Sequence, residues 1–146
     1  MERTLDTNAY LDAVCQMLAE GAESVPVPVA GNSMQPFLRP GDYVHVGRAE
    51  HIRRGDILLF QRPGGQYVLH RVVKIGRDSL LMLGDNQRER EPIDRSWVRA
   101  KAISANIRGK TVTAHSFRWW LFAYLWHWLS PWRRQIVWLH GIIFRK

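Results

Sequence analysis

Asp56–Ile75 reads Asp-Ile-Leu-Leu-Phe-Gln-Arg-Pro-Gly-Gly-Gln-Tyr-Val-Leu-His-Arg-Val-Val-Lys-Ile. Apolar and β-branched residues run on both sides of Pro63-Gly64-Gly65, a strong turn signal, so two strands, Asp56–Phe60 and Gln66–Ile75, are expected to pair as a hairpin. Outward from it the same grammar repeats. Tyr43–Val46 alternates, Ser79–Leu83 is a short strand ending in Gly84-Asp85-Asn86, and Trp97–Ile107 with Lys110–Thr113 makes a last hairpin about Arg108-Gly109. Ser24–Ala30 alternates valine with proline. Proline has no N–H for a ladder, so this segment is an edge strand or polyproline II. Arg88–Pro92 reads as a charged loop.

Residues 4–20 predict a helix. Thr4, Asp6 or Thr7 can cap it, Leu11, Val14 and Leu18 with Tyr10, Ala13 and Met17 give it an apolar face, and Gly21 stops it. The fold class is therefore mainly β, an antiparallel barrel or sandwich with one N-terminal helix. At 146 residues the chain is one domain with an appendage, large enough to bury about two-thirds of its unfolded surface without staples. Its single cysteine, Cys15, excludes an internal disulfide framework and fits a reducing, cytoplasmic compartment. Residues 1–24, with five acids and one arginine, show neither a signal peptide nor a membrane anchor.

Charge divides the chain. Residues 1–94 hold 11 Lys/Arg and all 13 acids, whereas residues 95–146 hold 10 Lys/Arg and no acid. The tail, residues 116–146, also carries six of the seven tryptophans, and its apolar run Trp119–Leu129 is too short to span a bilayer. We therefore divide the chain into a β domain, residues 1–115, and a helical, aromatic and basic tail expected to lie on an anionic membrane surface at the inner face, with a helical pair packed back on the β domain or a docking surface for a membrane partner as the alternatives. Nucleic acid is the less expected anionic partner, because such dense aromatic runs suit a lipid interface better than a groove.

Gly31–Asp42, Gly-Asn-Ser-Met-Gln-Pro-Phe-Leu-Arg-Pro-Gly-Asp, is neither helix nor strand. Its glycines and prolines make a rigid loop that exposes Ser33, a candidate nucleophile; most serines in such loops only bond their own backbone. A serine needs a base. Of six histidines, His70 has the most suggestive setting, because strand alternation puts it on one face with Val68 and Val72, and Arg71 on the other with Leu69 and Val73. A histidine among valines is ordinarily a core residue. No His, Cys or acid spacing fits a metal site, so neither metal nor cofactor is expected.

Four boxes in order give these residues a resemblance. Ser33-Met34-Gln35-Pro36-Phe37-Leu38-Arg39-Pro40-Gly41-Asp42, Arg54–Phe60, Val68–Val73 and Gly84-Asp85-Asn86 resemble those of type I signal peptidases and related serine peptidases. The resemblance implies Ser33 as nucleophile, His70 in the base position that bacterial members fill with lysine, and Asp85 as the residue orienting His70, with Asp42 as the alternative. It implies substrate contacts at Asn32, Met34 and Pro36, and a peptide or protein with a leader segment as substrate. Gly31 stands where many members place a second serine, so the oxyanion hole is expected to rest on backbone amides such as that of Ser33. The expected function is a serine endopeptidase. The alternatives are an inactive domain that binds extended peptides and a nucleic-acid-binding regulator.

Overall fold

The structure is a computed structural model that describes residues 2–114, 116–126, 128, 129 and 138, with side chains from Thr7 onward. Helix α1 (Glu2–Ala19) precedes eight strands: β1 (Val25–Pro28), β2 (Tyr43–Gly47), β3 (Ile57–Gln61), β4 (Tyr67–Ile75), β5 (Ser79–Leu83), β6 (Glu91–Asp94), β7 (Val98–Ile107) and β8 (Lys110–Thr113). All pairings are antiparallel, and the order is β1-β2-β7-β3-β4-β5-β6, with β8 beside the C-terminal half of β7. The mainly β expectation holds. The sheet does not close: β1 and β6 are its ends.

The hairpin that led the reading sits inside this sheet. β3 and β4 pair from Ile57↔Arg71 to Gln61↔Tyr67, and β7 lies on the other side of β3. Because successive side chains point to opposite faces, Ile57 and Leu59 enter one core cluster while Leu58 and Phe60 enter the other. The first cluster joins α1, β1, β2, β7 and the Met34–Leu38 loop; the second joins β3 to β6. Only Leu11, Val14 and Leu18 of the helix face are buried, with Tyr10 and Met17 about 40 % exposed. The stop at Gly21 is as expected: its φ is +108° and Ala22 N–H closes the last turn on the Met17 carbonyl.

β1 is the edge strand that its prolines predict. Val25 and Val27 face the core while Pro26 and Pro28 are exposed. β6 was not expected. Ile93 is buried against the second cluster, and Pro92 at the free edge costs no ladder bond.

Beyond β8, α2 (Phe117–Trp120), capped by Ser116, continues as wider π-helical turns through Trp126. This part of the tail docks on the β domain. Trp119 is 1 % exposed within the first cluster, edge-on to Phe37, and Phe122 packs on Phe37 with ring centroids 4.9 Å apart. Trp119, Ala123 and Trp126 are therefore buried in the protein. The rest of the expected tail, with Trp132, His140 and the terminal basic residues, lies outside the described residues apart from Trp128, Leu129 and Trp138. Among the described residues no helix is long and apolar enough to cross a membrane.

Candidate active site

The Ser33 turn is built by its own neighbours. Gln35 N–H bonds the Asn32 carbonyl, the Gln35 side chain bonds Asn32 Oδ1 at 2.7 Å, and Leu38 N–H bonds the Met34 carbonyl. Gly31 has φ +74°, a conformation glycine adopts without the Cβ penalty a serine would meet. That is a backbone reason for the missing second hydroxyl. Met34, Phe37 and Leu38 are buried and pin the turn to the core.

The Gly84-Asp85-Asn86 turn clamps the serine from behind. Asn86 N–H donates to the Ser33 carbonyl at 2.8 Å, and Asn86 Nδ2 donates to the Asn32 carbonyl at 3.2 Å. Gly84 packs so closely that a Cβ there would sit 2.6 Å from the Ser33 carbonyl oxygen. Two boxes about fifty residues apart in sequence thus form one rigid unit.

His70 lies on β4 opposite Leu58, on the Val68 and Val72 side as alternation requires, with Phe60 edge-on at 6.1 Å. Ser33 and His70 line the same cavity of about 310 Å³, whose walls include Val27, Val29, Met34, Leu59 and Leu69. No direct hydrogen bond joins the two side chains. His70 is 4 % exposed, and its Nδ1 is buried without a hydrogen-bond partner. Burial lowers its pKa from an ordinary 6.5 to about 4; the Glu91 carboxylate opposes the shift, Arg62 adds to it, and Asp85 opposes it more weakly. His70 is therefore a neutral imidazole at neutral pH.

The expected Asp85–His70 hydrogen bond is not made at Nδ1. Asp85 instead faces Arg71, which donates from Nε to Oδ1 and from Nη2 to Oδ2, both at 2.9 Å, with both side chains fully buried. Arg71 Nη1 also donates to the Gly55 carbonyl, and its guanidinium lies over the rings of Phe37 and Trp119. Arg71 is on the other face of β4 from His70, so its fork draws the Asp85 side chain toward the first core. Asp42, the alternative, is equally committed elsewhere. It accepts from the backbone N–H groups of Arg39 and Arg108, tying the serine loop's end to the β7–β8 turn.

Of the expected substrate contacts, Met34 lines the cavity. Asn32 and Pro36 do not, and Asn32 is spent holding the turn. The residues missed by sequence reading are Glu91 and Arg62. They pair through two bonds of 2.7 and 2.8 Å, and theirs are the charges that act most strongly on His70. Their 29-residue separation leaves no local signal.

Tail tryptophans complete the scaffold. Trp119 Nε1 donates to the Gly55 carbonyl at 3.0 Å, and Trp126 Nε1 donates to the Asp85 carbonyl at 2.7 Å. Gly55 must be glycine, since a Cβ there would lie 2.9 Å from Ala123 Cβ and its φ is +94°. Among the described residues no cluster of His, Cys, Asp or Glu could hold a metal ion. The chain matches no curated protein. Its serine turn, histidine strand and Gly-Asp-Asn clamp all fall within residues 1–111, over which it matches the Peptidase S24-like family model, and the chain belongs to that family.

Proposed function

We propose that the protein is a serine endopeptidase that cleaves a leader or signal segment from a peptide substrate. The observation that carries this reading is the shared cavity of Ser33 and His70, one on a clamped turn and the other on a rigid strand. A substrate strand laid beside the free edge of β1 would bring its carbonyl to Ser33. Ser33 Oγ attacks the carbonyl carbon while neutral His70 takes its proton, then returns it to the leaving amine. Water hydrolyses the acyl-enzyme by the same route. The imidazolium formed in each step is favoured by the negative charges of Glu91 and Asp85, and the Ser33 N–H is the proposed oxyanion donor. Asp85 acts here as a positioning residue, through Arg71 and through the turn that holds the Ser33 carbonyl.

The test is cleavage of leader-bearing peptides by the wild type, Ser33→Ala and His70→Ala, with a serine-reactive phosphonate as a second probe. Loss of cleavage in both variants and labelling of Ser33 are expected. Unchanged cleavage in either variant would remove the assignment. One observation favours a second reading, a domain that binds extended peptides without turnover: a base with its pKa near 4 and no bond to Ser33 is a weak one. Peptide binding by the wild type, without turnover or labelling, would establish that reading instead.

A further inference from the structure

The docked tail does more than fill the core. Trp119, Ala123 and Trp126 point inward, which leaves an outward face carrying Trp120 at 50 %, Leu125 at 40 % and Trp128 at 74 % exposure. Beside it the β domain supplies Arg54, Lys74 and Arg90, and these six residues line one open cavity of about 750 Å³. No acid lines it. The face is preorganised: Trp120 stacks on Phe117, Tyr124 packs on Trp120, and Arg54 lies over the Tyr124 ring at 5.4 Å.

We propose that this composite aromatic and cationic face docks on a bilayer surface containing anionic phospholipid. Large aromatic rings with a polar N–H edge settle at the headgroup level, and flanking cations gain from the negative surface potential. Three features favour lipid over a nucleic-acid strand: a leucine between the tryptophans, a broad open cavity in place of a groove, and cations beside the aromatic cluster and not alternating with it. The cations come from β-domain residues far from the tail in sequence, so the surface exists only in the folded protein. This inference does not depend on catalysis.

The experiment is co-sedimentation of the full chain with vesicles of phosphatidylcholine alone and of phosphatidylcholine mixed with phosphatidylglycerol. The wild type is compared with Trp120→Ser/Trp128→Ser and Lys74→Glu/Arg90→Glu. All four positions are exposed, so far-UV circular dichroism and the melting temperature should report an unchanged fold. Expected is binding to the phosphatidylglycerol vesicles that weakens about tenfold or more in each double variant and falls as salt is raised. Equal binding of the wild type to both vesicle types, or undiminished binding of either double variant, would overturn the proposal. So would tighter binding to single-stranded DNA than to the vesicles, lost in the same variants.

Discussion

Arg71 and Asp85 meet through two bonds of 2.9 Å with neither side chain exposed to solvent. Removing one partner of such a pair strands a buried charge, which typically costs about 3–5 kcal/mol. Asp85→Ala is therefore expected to lower stability by about that amount in urea unfolding and to lower turnover with it. Arg71→Met/Asp85→Ala removes both charges and should regain more than half of the stability lost. Recovery of turnover alongside it would place Asp85 in the scaffold. Full recovery of stability with turnover still lost would instead assign Asp85 a direct role at His70.

His70 sets a pH dependence of definite sign. In the unfolded chain it takes up a proton near pH 6.5, whereas in the folded protein it resists until about pH 4. Between those values the unfolded state binds more protons, so stability falls as pH drops through that window, by roughly 3 kcal/mol if the whole shift is realised. His70→Gln should remove this part of the acid sensitivity in melts taken from neutral to acidic pH. Cleavage should likewise persist well below pH 6.5, since the base stays unprotonated. Retention of an ordinary histidine midpoint in a proton NMR titration of the Ser33→Ala chain would contradict the burial argument.

The charges around His70 make a second, independent titration prediction. Glu91 raises the His70 pKa and Arg62 lowers it. Glu91→Gln removes the first and leaves Arg62 unneutralised, so the His70 midpoint should move further down. Arg62→Gln should move it up. The same NMR titration reads both, and a shift of the same sign in the two variants would show that a packing change, not charge, moves the midpoint.

Much of this arrangement was legible in the sequence because it is local or periodic. The period-two pattern of Tyr67–Ile75 put His70 and Arg71 on opposite faces, and Pro26 and Pro28 marked an edge strand. Three features were not legible. Asp85 was assigned to His70 by resemblance, but the face opposite His70 holds an arginine whose fork matches a carboxylate better than an imidazole does. Glu91 lies in the charged, proline-bearing stretch Arg88–Pro92, which reads as loop, yet β6 pairs with β5 and buries Ile93. The face by which the tail docks is hidden for a similar reason. An apolar run shows no preferred face until its indole N–H groups find carbonyls, and those belong to Gly55 and Asp85.

The clamp behind the serine can be tested at one atom. In Gly84→Ala the new Cβ would lie 2.6 Å from the Ser33 carbonyl oxygen and 3.0 Å from the Gln87 side chain. The Gln87 end can move, but a backbone carbonyl can move only with its turn. Overpacking of this kind costs about 1–3 kcal/mol. Displacement of a nucleophile by around 1 Å can cost about 100-fold in rate. Gly84→Ala should therefore lower kcat far more than it raises KM. A change confined to KM would show that the turn contacts substrate and does not position Ser33.

Trp126 extends the same clamp into the tail. Its indole donates at 2.7 Å to the Asp85 carbonyl, which lies in the turn whose next residue, Asn86, holds the Ser33 carbonyl. Trp126→Phe keeps an aromatic ring but leaves that carbonyl without its indole donor, a loss worth about 1–3 kcal/mol. Trp128→Phe, at an exposed ring, should stay within about 0.5 kcal/mol of the wild type. If Trp126 acts on the site through Asp85, Trp126→Phe should lower kcat at temperatures well below its own melting transition, where the folded fraction is unchanged. Equal kcat for the two variants under those conditions would limit Trp126 to holding the tail on the β domain.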